Sequence, residues 1–164
     1  MKKNIMVRAY IPQDIDSMAA IWNEVVRDGV AFPQLDALDH DTAAAFFAEQ
    51  DHCGVAVDET GVVIGMYILH PNNVGRCGHI CNASYAVAST ARGCGAGEAL
   101  VRDCIDQARK IGFKLLQFNA VVASNTVARS LYKKIGFVQI GVIPGGFLMP
   151  DGHYEDIIPY YFEL

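Results

Sequence analysis

The chain has 164 residues, of which 52% are hydrophobic, and a formal net charge of -5. These values are typical of one globular domain with a packed core. Charged residues make up only 19% of the chain, too few for an intrinsically disordered protein. No block of like charge is present, so nothing indicates nucleic-acid binding. We therefore expect a single domain over residues 1–164 and no nucleic-acid partner.

The N-terminus and the apolar runs argue against export and membrane insertion. Arg8 interrupts the first apolar run too early for the core of a signal peptide. No run reaches the roughly 18 apolar residues of a membrane span. The odd number of cysteines fits reduced thiols. The protein is expected to be cytoplasmic, with no membrane partner.

Cys77, His79 and Cys81 have the residue types of a metal site. At alternate positions of a strand, three such side chains would span about 13 Å. The ligands of one zinc ion lie only about 2.0–2.3 Å from it. We therefore expect no metal and interpret these cysteines as buried or half-buried thiols.

Hydrophobic periodicity and turn residues predict seven strands and four helices. The predicted strands cover residues 5–10, 54–57, 62–69, 79–87, 115–122, 137–142 and 154–162. The predicted helices run from Pro12 to Gly29, from an Asp41–Thr42 cap to Gln50, from 95 to 111 and from 126 to 135. This order predicts an α/β fold with a central sheet and helices on both faces, and it disfavours a doubly wound nucleotide fold.

A glycine-rich turn lies between the fourth predicted strand and the third predicted helix. Gly93, Gly95 and Gly97 let the backbone approach a ligand closely. The helix start behind them supplies unpaired N–H groups and a positive dipole end, and Arg92 adds a charge. This combination favours a pyrophosphate site. The spacing matches neither the dinucleotide fingerprint nor a P-loop, so a purely structural turn is the alternative.

Three segments, in the right order, resemble the GNAT (GCN5-related N-acetyltransferase) superfamily. Arg92-x-x-Gly95-x-Gly97 is similar to its acetyl-CoA signature, R/Q-x-x-G-x-G/A. Residues 85–87 precede it like the strand that pairs with pantetheine, and 124–137 resembles the second motif, N-x(4–6)-L/F-Y-x-x-x-G-F. The resemblance covers nearly the whole chain. It implies the GNAT fold, with a mixed, mostly antiparallel sheet of about seven strands, and acetyl-CoA as cosubstrate.

The resemblance also implies roles for particular residues. The residues implied to bind acetyl-CoA are Tyr85, Ala86, Val87, Arg92, Gly93, Cys94, Gly95, Ala96, Gly97 and Asn125. Tyr132 is implied as the catalytic general acid, because a phenol near the cofactor sulfur can protonate the departing thiolate. Simple packing of Tyr132 in the core, and simple helix capping by Asn125, are the alternatives.

The acceptor is expected to be the amine of a small molecule. Segments 21–26, 79–85 and 117–119, with Phe32-Pro33, resemble the branch that includes phosphinothricin and proline-analogue acetyltransferases. This likeness implies an amino acid or its analogue as acceptor. A protein or peptide N-acetyltransferase and a non-catalytic acyl-CoA-binding module are the alternatives, and a homodimer is left open.

Polar residues in apolar strands indicate where the acceptor binds. Asn82 and Asn119 are expected to hold an acceptor carboxylate or amide, or else to bond each other across the sheet. Phe32 and Tyr85 are expected to form apolar walls of the same pocket. Many members of the family that the chain resembles place a glutamate on the strand before the glycine-rich turn, or beside it. The predicted strand 79–87 contains no carboxylate, so the identity of the general base is left open. A water chain could carry the proton from a partly neutral amine, and His79 is an alternative base or an exposed histidine.

Overall fold

The computed structural model describes residues 4–164, and within them it contains eight strands and four α-helices. The strands are β1 (Met6–Ala9), β2 (His52–Val57), β3 (Val63–Pro71), β4 (Ile80–Val87), β5 (Leu115–Val122), β6 (Val138–Gln139), β7 (Ile143–Leu148) and β8 (Tyr154–Glu163). The helices are α1 (Ile15–Asp28), α2 (His40–Ala48), α3 (Ala96–Ile111) and α4 (Thr126–Ile135). None of these helices is long and apolar enough to cross a membrane.

All the described strands join one open sheet. Its order is β1-β2-β3-β4-β5-β8-β6, and β7 also pairs with β8. Only the β4–β5 pair is parallel, and every other pair is antiparallel. The predicted mixed, mostly antiparallel sheet is confirmed, with eight strands instead of about seven.

The β4–β5 pair is short and then separates. Its register contains only two steps, Ile80 with Leu115 and Cys81 with Leu116. Beyond Cys81, β4 remains paired with β3 as far as Val87, so only its edge toward β5 is released. The sheet is therefore split between two central strands, and this split positions the site described below.

Helices cover both faces of the sheet, as the sequence predicts. Successive side chains of a strand point to opposite faces, so each strand contributes to two apolar layers. One layer packs against α1 and α2 and includes Trp22, Phe47 and Met66. The other packs against α3 and α4 and includes Leu100, Cys104 and Leu116.

The sequence predicts the end of α1 correctly but not the start of α2. Gly29 ends α1 with a left-handed φ of 67°, which glycine adopts without steric cost. The predicted Asp41–Thr42 cap of α2 is wrong by two residues. Asp39 is the cap residue: its carboxylate accepts from Thr42 N, while Thr42 Oγ1 accepts from Asp39 N. This reciprocal capping box starts α2 at His40.

The predicted strand over 137–142 is also wrong. The structure has a two-residue strand there, β6, followed by β7, which the sequence did not predict. Pro144, Gly145 and Gly146 interrupt β7 and are typical of turns. An edge strand tolerates them, and Gly146 is required because a Cβ there would lie 2.4 Å from Ile157 Cγ1.

A partly buried ion pair connects β1 to the start of α1. Asp14 is only 5% exposed, and its carboxylate accepts from Arg8 at 2.7 and 3.1 Å and from Ile11 N at 2.9 Å. Asp14→Asn is expected to lower the free energy of unfolding at pH 7 by about 2–3 kcal/mol, because it removes the negative charge beside Arg8 and replaces one accepting oxygen by an N–H donor. Chemical denaturation measures this, with Asp16→Asn as the exposed control.

The same pair gives an expected pH dependence. The hydrogen bonds from Arg8 lower the pKa of Asp14 below its usual range. The stabilisation is therefore complete above the unfolded pKa of about 3.9 and is lost as the pH falls through the lower folded value. The stability difference between wild type and Asp14→Asn should shrink below about pH 4. A difference that stays constant down to pH 2 would contradict this assignment.

Candidate active site

A continuous cleft of about 1490 Å³ passes through the split between β4 and β5. Its walls come from the end of α1 and the following loop, the end of α2, strands β3, β4 and β5, and the first turns of α3 and α4. Both apolar layers of the sheet therefore meet this cleft. The predicted site residues that line it are Phe32, Asn82, Tyr85, Ala86, Val87, Arg92, Gly93, Gly95, Ala96, Gly97, Asn119, Asn125 and Tyr132. Cys94 does not line the cleft and packs against the α3 layer.

The glycine-rich turn forms a cradle of backbone amides at one end of the cleft. Gly93 and Gly95 have φ angles of 79° and 94°, a conformation that other residues rarely adopt. A Cβ built on either glycine would meet no atom within 4 Å, so the space above the turn is open. The first backbone bond of α3 is from Ala99 N to Gly95 O, and no side chain caps the helix. The first-turn amides are thus left for an anionic ligand.

The released edge of β4 lies next to this cradle. Tyr85, Ala86 and Val87 pair with β3 on one side, and their other side faces the split. An extended ligand with amide groups can bond to such an edge as an additional strand would. Edge and cradle together fit an extended molecule that carries a pyrophosphate at one end.

Charge around the cradle is partly balanced. Arg92 Nη2 lies 3.3 Å from Asp28 Oδ2, and both side chains are about half exposed. Glu98, in the first turn of α3, pairs with Arg102 at 2.9 Å and with Lys134 at 2.6 Å. These hydrogen bonds, from Lys134 first, lower the pKa of Glu98. The cradle therefore combines helix dipole and cations with acidic groups that already have partners.

Tyr132 reaches the cleft from α4. Its ring packs against Phe118, Phe137 and Tyr160, with centroid distances of 4.5, 5.4 and 5.8 Å. Burial, followed by the neighbouring Cys104 and Tyr160, raises the pKa of Tyr132. The hydroxyl therefore carries its proton at neutral pH. It has no hydrogen-bond partner within residues 4–164, although the residue lines the cleft.

Tyr85 and Phe32 line the cleft from opposite faces of the sheet. The Phe32 ring packs at a tilt against Trp22, with a centroid distance of 4.5 Å, in the α1–α2 layer. The Tyr85 ring lies in the α3 layer, 5.8 Å from Phe118. Its buried hydroxyl has no nitrogen or oxygen partner in the described part of the chain and lies beside Cys104. Burial first, and then Cys104, raises the pKa of Tyr85.

Asn82 and Asn119 lie near each other but do not bond each other. Asn82 Nδ2 donates to Gln117 O at 2.8 Å. Gln117 Nε2 donates to Asn119 Oδ1 at 3.0 Å, and Asn119 Nδ2 donates to Asn72 Oδ1 at 2.6 Å. One N–H of each asparagine is used in this chain of bonds, and each amide group has two. Both residues therefore bridge the split while retaining donors that can face the cleft.

Asn125 begins α4, as the capping alternative predicts. Its Oδ1 accepts from Ala128 N at 3.3 Å. Its Nδ2 makes no hydrogen bond within residues 4–164 and remains available on the wall of the cleft. Capping and ligand binding are compatible because they use different ends of the same amide.

Comparison with known proteins identifies the family. The profile of the acetyltransferase (GNAT) family matches residues 17–137, which is more than half of the chain. The chain belongs to the GNAT family. N-acetyltransferase aca1 of Schizosaccharomyces pombe is 32% identical over 115 residues, which are 70% of this chain and 55% of that protein. The chain thus spans about half the length of this relative.

Solved structures share the GNAT fold. A GCN5-related N-acetyltransferase from Kribbella flavida is 34% identical, with a TM-score of 0.90 and coverage of 98% of both chains. A phosphinothricin acetyltransferase from Sinorhizobium meliloti, solved with acetyl-CoA, is 22% identical, with a TM-score of 0.91 and coverage of 100% of this chain and 89% of that one. Membership of this family supports N-acetyltransferase activity with acetyl-CoA as the cosubstrate.

The cleft is also lined by a histidine, His70, that was not predicted as a site residue. His79, the base considered from sequence, is exposed, precedes β4 and does not line the cleft. His70, at the end of β3, is half-buried and does line it. The register of β3 with β4 places His70 opposite Asn82. Side chains alternate between the two faces along β3, so the sequence could predict which face His70 shares with Ile68. Its place opposite Asn82 follows only from the register of β3 with β4.

No group of three metal-ligating side chains occurs within residues 4–164. Cys77 lies in a short 3₁₀ turn (Gly75–Cys77) and is exposed, so the interpretation of residues 77–81 as parts of one strand is wrong. Cys81 is buried, its Sγ donates to Leu115 O at 3.3 Å, and burial raises its pKa to about 12. Cys81 therefore has a packing role, whereas the expectation of a buried or half-buried thiol is wrong for Cys77, because the short 3₁₀ turn leaves it exposed.

Proposed function

We propose that this chain is a single-domain cytoplasmic enzyme that transfers the acetyl group of acetyl-CoA to the amine of a small molecule. The observation that supports this most directly is the shape of the cleft. It runs from an anion cradle, along a free strand edge and past an unpartnered phenol, to a cluster of neutral amides. An amino acid or its analogue fits the amide end. Five free cysteines fit a reducing compartment.

The residues fit acetyl-CoA in three sections. The amides of 93–97 and the side chain of Arg92 would hold the pyrophosphate. The edge of β4 at 85–87, together with Asn125 Nδ2, would bond the pantetheine amides. The thioester would then lie at the split, where Tyr132 can reach the sulfur. Cys94 contributes at most its backbone, since its side chain packs away from the cleft.

In the proposed reaction, Tyr132 assists the departure of the CoA thiolate. The acceptor nitrogen attacks the thioester carbon, and the C–S bond breaks as CoA departs. The departing thiolate resembles a free thiol with a pKa of about 8.5. Tyr132 keeps its proton at neutral pH and can donate it, or a hydrogen bond, as negative charge develops on sulfur. Packing against Phe118 and Phe137 holds the ring in place.

The acceptor end of the cleft contains uncharged donors. The remaining N–H groups of Asn82 and Asn119 can bond a carboxylate or an amide oxygen of the acceptor. Phe32 supplies an apolar wall on the same face. An arginine clamp would bind a carboxylate more strongly than amides do, so modest acceptor affinity is expected.

A peptide or protein acceptor is the second candidate. Val74, which lines the cleft, and Leu35, beside its lining residue Gln34, are 82% and 92% exposed. Exposed apolar groups near the mouth could contact a longer chain. A panel of amino acids, amine antibiotics and short peptides, assayed with acetyl-CoA for free thiol release, separates the candidates. Activity on peptides alone would overturn the small-molecule assignment, and acetyl-CoA binding without transfer to any of these amines would indicate a binding module.

Asn119→Leu tests the acceptor site. The change removes donors and would leave acceptor oxygens unpaired, so transition-state binding should weaken by about 1–3 kcal/mol. The loss should appear in kcat/KM for the acceptor, while calorimetry shows unchanged acetyl-CoA affinity. Asn82→Leu should act similarly but should also destabilise the fold, because Asn82 bonds across the split. Equal losses in acceptor kcat/KM and acetyl-CoA affinity would refute the assignment.

A further inference from the structure

The acceptor end of the cleft has an unassigned titratable side chain, His70. On β3, Ile68 belongs to the α1–α2 layer. His70 lies two residues further along and so faces the same side. Its register partner is Asn82, one of the two proposed acceptor ligands. The imidazole therefore shares a sheet face and a cleft with the proposed acceptor site.

One hydrogen bond fixes which nitrogen of His70 carries the proton. Nδ1 lies 2.9 Å from Pro71 O. A carbonyl oxygen can only accept, so Nδ1 must be the donor. In the neutral ring, Nε2 is then unprotonated and holds the free lone pair. The backbone thus orients His70 as a base, in the manner of an orienting group in other catalytic histidines.

The other charged groups of the cleft are worse placed to accept a proton. Asp28 is paired with Arg92, and Glu98 with Arg102 and Lys134. Glu49, just beyond α2, is exposed and is the main competitor. On the other side of β3, Asp51 precedes β2 and donates its N–H to Leu69 O, and His52 begins β2 opposite Leu69, but neither side chain lines the cleft. Strand β4 offers only neutral side chains.

We propose that His70 Nε2 accepts the proton of the acceptor ammonium, directly or through one water, and so generates the nucleophilic amine. This inference rests on the proposed acetyl transfer. The N–H bond of the ammonium breaks and its electron pair forms the new C–N bond. The C–S bond then breaks, Tyr132 protonates the thiolate, and the proton lost from the amide nitrogen restores Tyr132. His70 releases its proton to solvent.

His70→Gln keeps a polar side chain and removes the base. For the amino acid with the largest kcat/KM in the acceptor panel, we expect kcat/KM at pH 6.5 to fall about 10²-fold. The defect should shrink as the pH rises, because free amine becomes abundant without a base. His79→Gln, the exposed histidine outside the cleft, should match wild type. A defect of equal size at every pH, or a pH-dependent defect in Glu49→Gln instead, would overturn the proposal.

A second measurement needs no acceptor. NMR of the imidazole nitrogens in the wild-type protein should show a protonated Nδ1 and an unprotonated Nε2 for neutral His70. The opposite tautomer would overturn the assignment whether or not any amine is acetylated. If the expected tautomer is found but no amine in the panel is acetylated, the proposed function fails, and with it the catalytic assignment, although the orientation of His70 stands.

Discussion

Replacing Tyr132 with phenylalanine is expected to lower kcat at least about 10²-fold, with little change in acetyl-CoA affinity. The change removes only the hydroxyl, so the ring contacts with Phe118, Phe137 and Tyr160 remain. Burial raises the pKa of Tyr132, so the residue is protonated throughout the neutral range. Its loss should therefore lower the rate uniformly between about pH 6 and 9, unlike the loss of His70.

The raised pKa also decides how Tyr132 can act. A phenol above its ordinary pKa of about 10 is a weaker acid than a thiol of pKa about 8.5. Complete proton transfer from the Tyr132 phenol to a free CoA thiolate would therefore be unfavourable. We expect the hydroxyl to stabilise the negative charge that develops on sulfur, and to give up its proton only as it receives one from the acceptor nitrogen. This mechanism favours the lower end of the usual range for general acid catalysis, about 10²–10⁴-fold.

Tyr160→Phe is a matched control for this experiment. Tyr160 packs against Tyr132, but its hydroxyl accepts from Arg129 Nε at 3.2 Å and it does not line the cleft. Its loss should affect stability more than kcat. If Tyr132→Phe keeps kcat within a factor of two of wild type, or if both variants lose the same activity, Tyr132 has only a packing role.

The fold could be predicted from the sequence where local chemistry decides it. The boundaries of β5 and α4 match the prediction, and α4 lies between its cap residue Asn125 and the left-handed Gly136. β7 could not be predicted, since Pro144 and the Gly145–Gly146 pair indicate a turn. The pairing of β7 with β8 places Gly146 in a strand, and the close approach of Ile157 explains why this position is a glycine. This contact belongs to the tertiary structure and cannot be read from the local sequence.

The candidate site divides in the same way. The left-handed turn at Gly93 and Gly95 could be predicted because glycine spacing indicates the backbone conformation directly. Pyrophosphate binding by this turn stays a prediction. The roles proposed for Asn82 and Asn119 depend on where β4 and β5 separate, which no single segment encodes. Gln117 links them through its carbonyl and its side chain, a connection that is invisible without the register. The position of His70 in the cleft could not be predicted from the sequence for the same reason.

Gly95→Val is expected to weaken acetyl-CoA binding at least tenfold, as measured by calorimetry. Gly95 has a φ of 94° at the start of α3, where a β-branched residue is strained by about 1–2 kcal/mol. Either the strained loop persists, and the valine methyls occupy the space where the phosphates must approach, or the loop relaxes and the first-turn amides turn away. Both outcomes remove donors from an anion site.

Strain alone must be separated from lost binding, and α3 supplies its own control. Gly112 ends the same helix with a φ of 108°, and a Cβ there also meets no atom within 4 Å. Gly112→Val should therefore cost similar stability, measured as a fall in Tm, while acetyl-CoA affinity stays at the wild-type value. Gly95→Asn, which tolerates a left-handed φ better, keeps the test informative if the valine variant does not fold. Wild-type affinity in a folded Gly95 variant, or equal loss of affinity in Gly112→Val, would show that the cradle is a structural turn and that the pyrophosphate binds elsewhere.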